Sequence, residues 1–193
     1  SNILEEIRAL QGRYKIATLN FQDDTFTLDH RWTVEFCRAY RSEFSYPFWI
    51  NTRVERLDEE IVRTLAESGC QGVRIGVESG NEELRRKVLR RQMSNDDFRR
   101  AFRLLHKYGI QTYTCNMIGL PGETPEMIEE TIALNRELAP DKFQYSVFYP
   151  YPMTELYERS VHEGYLQVDP IRQDGETLTG YYERESILHS PHL

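Results

Sequence analysis

The sequence predicts a parallel α/β fold, either an open sheet or part of a barrel. Three observations predict it. Five short runs carry strand periodicity, a helical pattern fills each gap between them, and polar residues gather just past the carboxyl end of each run. The runs begin at residues 16, 48, 73, 112 and 143. A complete eight-unit barrel needs roughly 250 residues, more than the 193 present.

The elements follow in order. Ser1 to Leu10, with Glu5 and Glu6, reads as a helix rather than a secretory signal. In Ile16 to Phe21, Ala17, Leu19 and Phe21 face one way and Thr18 and Asn20 the other. Trp32, Phe36 and Tyr40 fall at helical spacing and predict a helix over about residues 30 to 43. In Phe48 to Arg53, Phe48, Ile50 and Thr52 share one face, opposite Asn51 and Arg53. Asp58 is a good N-cap for a helix with Ile61 and Leu65 on its buried stripe and Gly69 as its stop.

The third run, Val73 to Val77, sets Val73, Ile75 and Val77 against Arg74, Gly76 and Glu78. Ser94 precedes a helix whose stripe is Phe98, Ala101, Phe102 and Leu105, ended by Gly109. Thr112 to Ile118 is the fourth strand, and Thr124 with Pro125 opens a helix to about Leu138. Phe143 to Phe148 is the fifth strand, and Met153 to Glu163 a final helix stopped by Gly164. The domain reading is a core over residues 1–165 and a polar, irregular extension over 166–193.

Composition narrows the classes. A net charge of -7 disfavours nucleic-acid binding, which calls for a basic surface. No long uncharged apolar run exists, so no membrane span is expected and the cytoplasm is the default compartment. The cysteines Cys37, Cys70 and Cys115 are too widely spaced for a disulfide framework or a metal knuckle, and no metal ligand is assigned.

Parallel βα folds place their sites at the carboxyl ends of strands. Those ends carry Asp23 and Asp24, then Asn51 and Arg53, then Glu78 and Ser79, then Asn116 with Gly119 to Thr124 (GLPGET), then Tyr149 and Pro150. Several have a plainer explanation. Asp23 and Asp24 could cap the next helix, Arg53 could pair with Glu55, and GLPGET could be only a turn and helix start. Glu78 is harder to dismiss. It lies opposite three apolar residues, and burying an unpaired charge is costly. GLPGET lets a ligand approach the backbone beside a helix N-terminus, but it lacks the Gly-Lys-Ser/Thr ending of a phosphate loop.

Five strings occur in order: FQDDTFT (Phe21 to Thr27), NTRVERLD (Asn51 to Asp58), SGCQGVRIGVESGNEEL (Ser68 to Leu84), YGIQTYTCNMIGLPGETPE (Tyr108 to Glu126) and FYPYPMTELY (Phe148 to Tyr157). Together they resemble the radical S-adenosylmethionine (SAM) superfamily, and within it the group that carries a cobalamin-binding domain upstream. The resemblance runs from about Ile16 to Tyr165. It implies a partial (βα)6 radical SAM-type barrel, with about five parallel strands and flanking helices present here.

The resemblance also implies a [4Fe-4S] cluster held by a Cys-x3-Cys-x2-Cys loop, with SAM on its open iron cleaved to a 5′-deoxyadenosyl radical. Cobalamin would enter through the upstream domain. By position, Asp23 and Asp24 match the loop that meets the SAM amino group, and Arg53 matches a polar residue near its carboxylate. Glu78 matches the carboxylate on the ribose hydroxyls, and Ser79 lies beside it in the same motif. Met117, Ile118 and Gly119 flank adenine, and Tyr149 and Pro150 lie near its edge. The catalytic residues themselves are not assigned, and the substrate is expected to be a small molecule.

Two departures stand out. No Cys-x3-Cys-x2-Cys motif occurs in the sequence, so the chain is expected to be an inactive piece of a longer enzyme, without the first strand and the cluster loop. An edge strand left open in this way invites pairing with a second copy. Met153 stands where relatives often have glycine. Two alternatives remain: a cluster-less βα scaffold or binding module, and a metal-dependent βα-barrel enzyme using the strand-end carboxylates Asp23, Asp24 and Glu78 on a hard divalent cation.

Overall fold

A computed structural model describes residues 2–166 and Leu188. Its elements in chain order are α1 (Asn2–Gln11), β1 (Leu19–Asn20), α2 (His30–Glu43), β2 (Phe48–Thr52), a 3-10 turn (Val54–Arg56), α3 (Glu59–Glu67), β3 (Cys70–Glu78), α4 (Glu82–Lys87), α5 (Asn95–Lys107), β4 (Gln111–Ile118), α6 (Pro125–Leu138), β5 (Lys142–Val147) and α7 (Glu155–His162). The strands form one sheet in the order β1-β2-β3-β4-β5. The β1–β2 and β2–β3 pairs are parallel, with Leu19 opposite Phe48 and Ile50 opposite Val73.

The chain divides into two compact units, residues 1–76, 96–114 and 140–142, and residues 77–95, 115–139 and 143–193. The first is built on the alternation expected from its sequence. Phe48, Ile50 and Thr52 are buried on one face of β2, and Val73 and Ile75 on the same side of β3. Over them lies an aromatic cluster in which Phe21 meets Phe36 edge-on at 5.6 Å and Phe48 at 5.4 Å, while Trp32 stacks on Phe36 at 5.1 Å. Such pairs add to the stabilisation that ring burial already supplies.

Helix boundaries in this unit are fixed by side-chain caps. Asp29 accepts from the Trp32 amide (2.9 Å) and Asp58 from the Ile61 amide (2.8 Å). Gly69 follows α3 at φ +92°, the left-handed stop that favours glycine. The start of β4 is tied down by Asp141, whose carboxylate accepts from the Thr112 amide (2.8 Å) and hydroxyl (3.0 Å). Those donors hold the Asp141 carboxyl below its usual range.

The second unit packs Leu84, Val88, Leu120 and Phe148 together, flanked by Met117, Met127 and Leu156. Its most unusual member is Arg85, fully buried, with its guanidinium spread over the carbonyls of Ser79 and Met93 and the Asn95 side chain. Gly80 permits a close approach to α6. A Cβ there would lie 2.4 Å from the Glu130 carbonyl oxygen and 2.5 Å from the Thr131 Cα. The Gly80 amide donates to the Thr131 hydroxyl at 2.7 Å.

Several boundaries depart from the sequence reading. The first strand shrinks from Ile16–Phe21 to Leu19–Asn20, and Ala17 is exposed. Among the described strands, β1 has a neighbour on one side only, so its ladder is short: Leu19 donates to the Pro47 carbonyl and Phe21 to that of Trp49 (both 2.9 Å). The third strand begins at Cys70, three residues early, and α4 was not anticipated. The final helix starts at Glu155, capped by Thr154, because Met153 sits at φ +67° and cannot be helical. The extension over 166–193 lies outside the described residues, except for a Leu166–Leu188 antiparallel bridge.

Candidate functional site

In the second unit, alternation along β3 puts Glu78 on the face opposite Val77 at the end of the strand. Its backbone is left-handed, φ +65°, a region that costs a non-glycine residue about 1–2 kcal/mol. Such strain is kept where surrounding structure imposes it, commonly at functional sites. The side chain is 13% exposed, and Arg91 Nη1 lies 3.3 Å from its Oε1. Burial pushes the Glu78 carboxyl above its ordinary value, and the Arg91 charge opposes that rise. The next residue, Ser79, is fully buried, with its hydroxyl accepting from the Asn81 amide at 3.3 Å.

The fourth strand ends in Met117 and Ile118, both half-buried, then Gly119 at φ +81°. The loop after it closes on Glu123. This fully buried carboxylate accepts from the Gly119 amide (2.6 Å) and the Leu120 amide (3.2 Å) through Oε2, while Oε1 has no partner. Burial raises the Glu123 carboxyl, and the two amides restrain the rise. GLPGET is therefore a turn and helix start, with Thr124 capping α6, and also a backbone loop braced from within by its own glutamate. Phe148 donates to the Ile118 carbonyl at 2.8 Å, which sets buried Tyr149 and Pro150 beside the end of β4.

In the first unit, Asp23 and Asp24 are exposed in the loop after β1. Neither caps α2, a role Asp29 fills, so the plainer explanation for this pair does not hold. The loop is pinned by Asn51, which donates to the Asp23 carbonyl (3.1 Å) and accepts from the Phe26 amide (3.0 Å). Arg53 does pair with Glu55, at 2.5 Å, yet its Nε is buried without a hydrogen-bond partner. A cleft of about 780 Å³ in this unit runs past Leu28, Arg56 and Arg103 and touches none of the predicted site residues.

Sequence reasoning missed Arg91, Arg85 and the bracing role of Glu123. Arg91 lies thirteen positions beyond its partner with no periodic pattern between them, and Arg85 sits in a run of exposed charges. The signal for Glu123 was present, a lone acid inside an otherwise apolar, glycine-bearing turn.

The residues fit an iron–sulfur cluster poorly. Cys37 and Cys70 are buried, and burial drives both thiols up, Cys37 to about 11. A cluster needs thiolates, which such burial disfavours. No group of three His, Cys, Asp or Glu among the described residues could hold a metal ion. No helix among them is long and apolar enough to cross a membrane.

Comparison with known proteins shows the fold and the family. An uncharacterized methyltransferase, PH0819, of Pyrococcus horikoshii is 29% identical over 182 residues, which cover 88% of this chain and 39% of that protein. An anaerobic magnesium-protoporphyrin IX monomethyl ester cyclase of Rubrivivax gelatinosus is 26% identical, covering 81% of this chain and 28% of its own length. The chain thus spans less than half of each. Among solved structures, the radical SAM methyltransferase TsrM of Kitasatospora setae superposes in two states. With cobalamin and a [4Fe-4S] cluster bound, the TM-score is 0.69 at 24% identity, covering 88% of this chain and 32% of that one. With tryptophan substrate and aza-SAM bound, it is 0.72 at 23% identity, covering 83% and 32%. The shared fold is the partial radical SAM barrel. Residues 1–134 match the radical SAM superfamily, and to that family this chain belongs.

Proposed function

We propose that this chain is the SAM-binding core of an enzyme that starts radical chemistry, a methyl transfer or rearrangement, on a small-molecule substrate in the cytoplasm. The observation that carries the reading is Glu78, a carboxylate held in a strained left-handed backbone at a strand end and largely desolvated beside Arg91. A carboxylate accepts two hydrogen bonds from a vicinal diol, and burial strengthens them by excluding water. Glu78 would hold the ribose hydroxyls, with Ser79 fixing the turn behind it. The backbone of Met117, Ile118 and Gly119, braced by Glu123, would flank adenine, with Tyr149 and Pro150 at its edge. Asp23 and Asp24 would meet the methionine amino group, and Arg53 the carboxylate.

Bound SAM would supply an adenosyl radical on one-electron reduction by a [4Fe-4S] cluster of the whole protein, with methionine as leaving group, or a methyl group by displacement at its sulfonium carbon. The residues of this chain bind and orient the cofactor and shield it. Cobalamin and cluster belong to the whole protein on this reading, by analogy with TsrM. The chain by itself binds no cluster, and β1, with a neighbour on one side only among the described strands, would offer its open edge to a second copy.

Isothermal titration of the chain with SAM tests the proposal. Saturable binding is expected, weakened about tenfold, or about 1.4 kcal/mol, by E78Q. Absence of binding, or equal binding by E78Q, overturns it.

A further inference from the structure

The second face of the sheet in the first unit carries an unusual grouping. Trp49 lies flat over Gly72, where an added Cβ would fall 2.4 Å from the indole ring. Its Nε1 donates to Gln71 Oε1 at 3.2 Å, which fixes the ring in its plane. Two cations share this one ring. The Arg74 guanidinium carbon is 5.3 Å from the centroid and the Lys142 ammonium 5.7 Å.

Neither cation has a carboxylate among the described residues, in a chain whose net charge is -7. Arg74 donates from Nη2 to Asn20 Oδ1 at 3.1 Å, while Nη1 is buried with no acceptor. The side chains that hydrogen-bond to Arg74 and Trp49, Asn20 and Gln71, are neutral. Some exposed cations of this unit do meet an acid, as Arg41 meets Glu67 at 3.2 Å.

Two positive charges held on an aromatic platform repel one another unless an anion joins them. An aromatic face tolerates the cations through its quadrupole but does not neutralise them. A guanidinium with one edge anchored and one donor unmet suits an oxyanion, carboxylate or phosphate, which takes paired donors from a fork. Lys142, on a flexible exposed stem, supplies the second charge.

We propose that Arg74, Lys142 and Trp49 form a subsite for a carboxylate or phosphate group of the substrate. The assignment rests on the reading of this chain as a SAM-dependent core. It adds a substrate class to that reading: the molecule acted upon carries an oxyanion.

The chain contains two tryptophans, Trp32 and Trp49, so W32F leaves Trp49 as the sole reporter. The W32F chain is titrated with phenylacetate, phenyl phosphate and neutral phenylacetamide while tryptophan emission is followed. A saturable change with one or both anions and none with the amide is expected, and the tighter anion distinguishes carboxylate from phosphate. R74Q in the same background should weaken binding at least tenfold and K142Q several-fold, with R74K recovering part of the loss. Thermal melts of each variant confirm folding.

No saturable response, an equal response to phenylacetamide, or unchanged binding by R74Q overturns the subsite. SAM titration of the same samples separates the two ideas. Anion binding without SAM binding leaves the subsite and removes the cofactor reading, and SAM binding without anion binding does the reverse.

Discussion

Arg91 Nη1 sits 3.3 Å from Glu78 Oε1, an ion pair across thirteen residues at the end of β3, with the Glu78 side chain 13% exposed. Removing the cation strands a largely buried carboxylate. R91M should therefore destabilise the chain by about 1–3 kcal/mol in urea unfolding. E78G relieves the left-handed strain and should be more stable than the parent by about 1 kcal/mol, while losing SAM affinity. A variant that gains stability and loses the ligand would mark Glu78 as retained for binding.

The pH dependence of stability should carry the mark of Glu123. Burial raises its folded carboxyl above the ordinary value of 4.5. The folded state then holds the proton longer than the unfolded state. Stability is greatest below the unfolded value and falls as pH rises through the folded one. E123Q removes this titration and should flatten the slope on the acid side of neutrality in chemical unfolding. E123A leaves the Gly119 and Leu120 amides without their acceptor and should cost about 1–3 kcal/mol.

Close contact at Gly80 predicts a steep penalty for the smallest possible addition. G80A places a methyl against the α6 backbone, which cannot retreat as a side-chain tip can. A loss of about 1–3 kcal/mol is expected from overpacking, read as a lower melting temperature. A neutral G80A would mean that α6 shifts freely.

Met153 offers the opposite case. It is 96% exposed and held at φ +67°, so its side chain contributes little and its backbone is strained. M153G should raise stability by about 0.5–1 kcal/mol, measurable as an increase in melting temperature. A decrease would show that the turn before α7 depends on the methionine itself.

Much of this architecture was legible because periodicity survives folding. Val73, Ile75 and Val77 are buried and Arg74, Gly76 and Glu78 are not, as alternation requires. Asp58 and Thr124 cap the helices they were expected to cap. The family strings made Glu78 and GLPGET stand out, and the glycine-like position of Met153 emerged as a positive φ.

What stayed hidden depends on register and distance. Helix α4, EELRRK, has almost no apolar stripe to announce it and is held instead by its Asn81 cap and the buried Arg85. Trp49 pairs with Gly72 after a register shift between Phe48 and Trp49, and Arg74 lies over its ring, a contact that alternation alone does not announce. The first strand is shorter than its pattern predicts because apolar alternation does not reveal how many residues have a partner to bond.

The buried guanidinium of Arg85 has one more consequence. Glu78 and Glu123 both change state with acidity, but arginine keeps its protons throughout the range proteins occupy. Its bonds to the carbonyls of Ser79 and Met93 and to Asn95 therefore persist while neighbouring carboxylates gain or lose charge. The segment from Ser79 to Asn95 has a fastener insensitive to the medium, so the turn behind Glu78 keeps its shape across conditions in which Glu78 itself does not keep its charge.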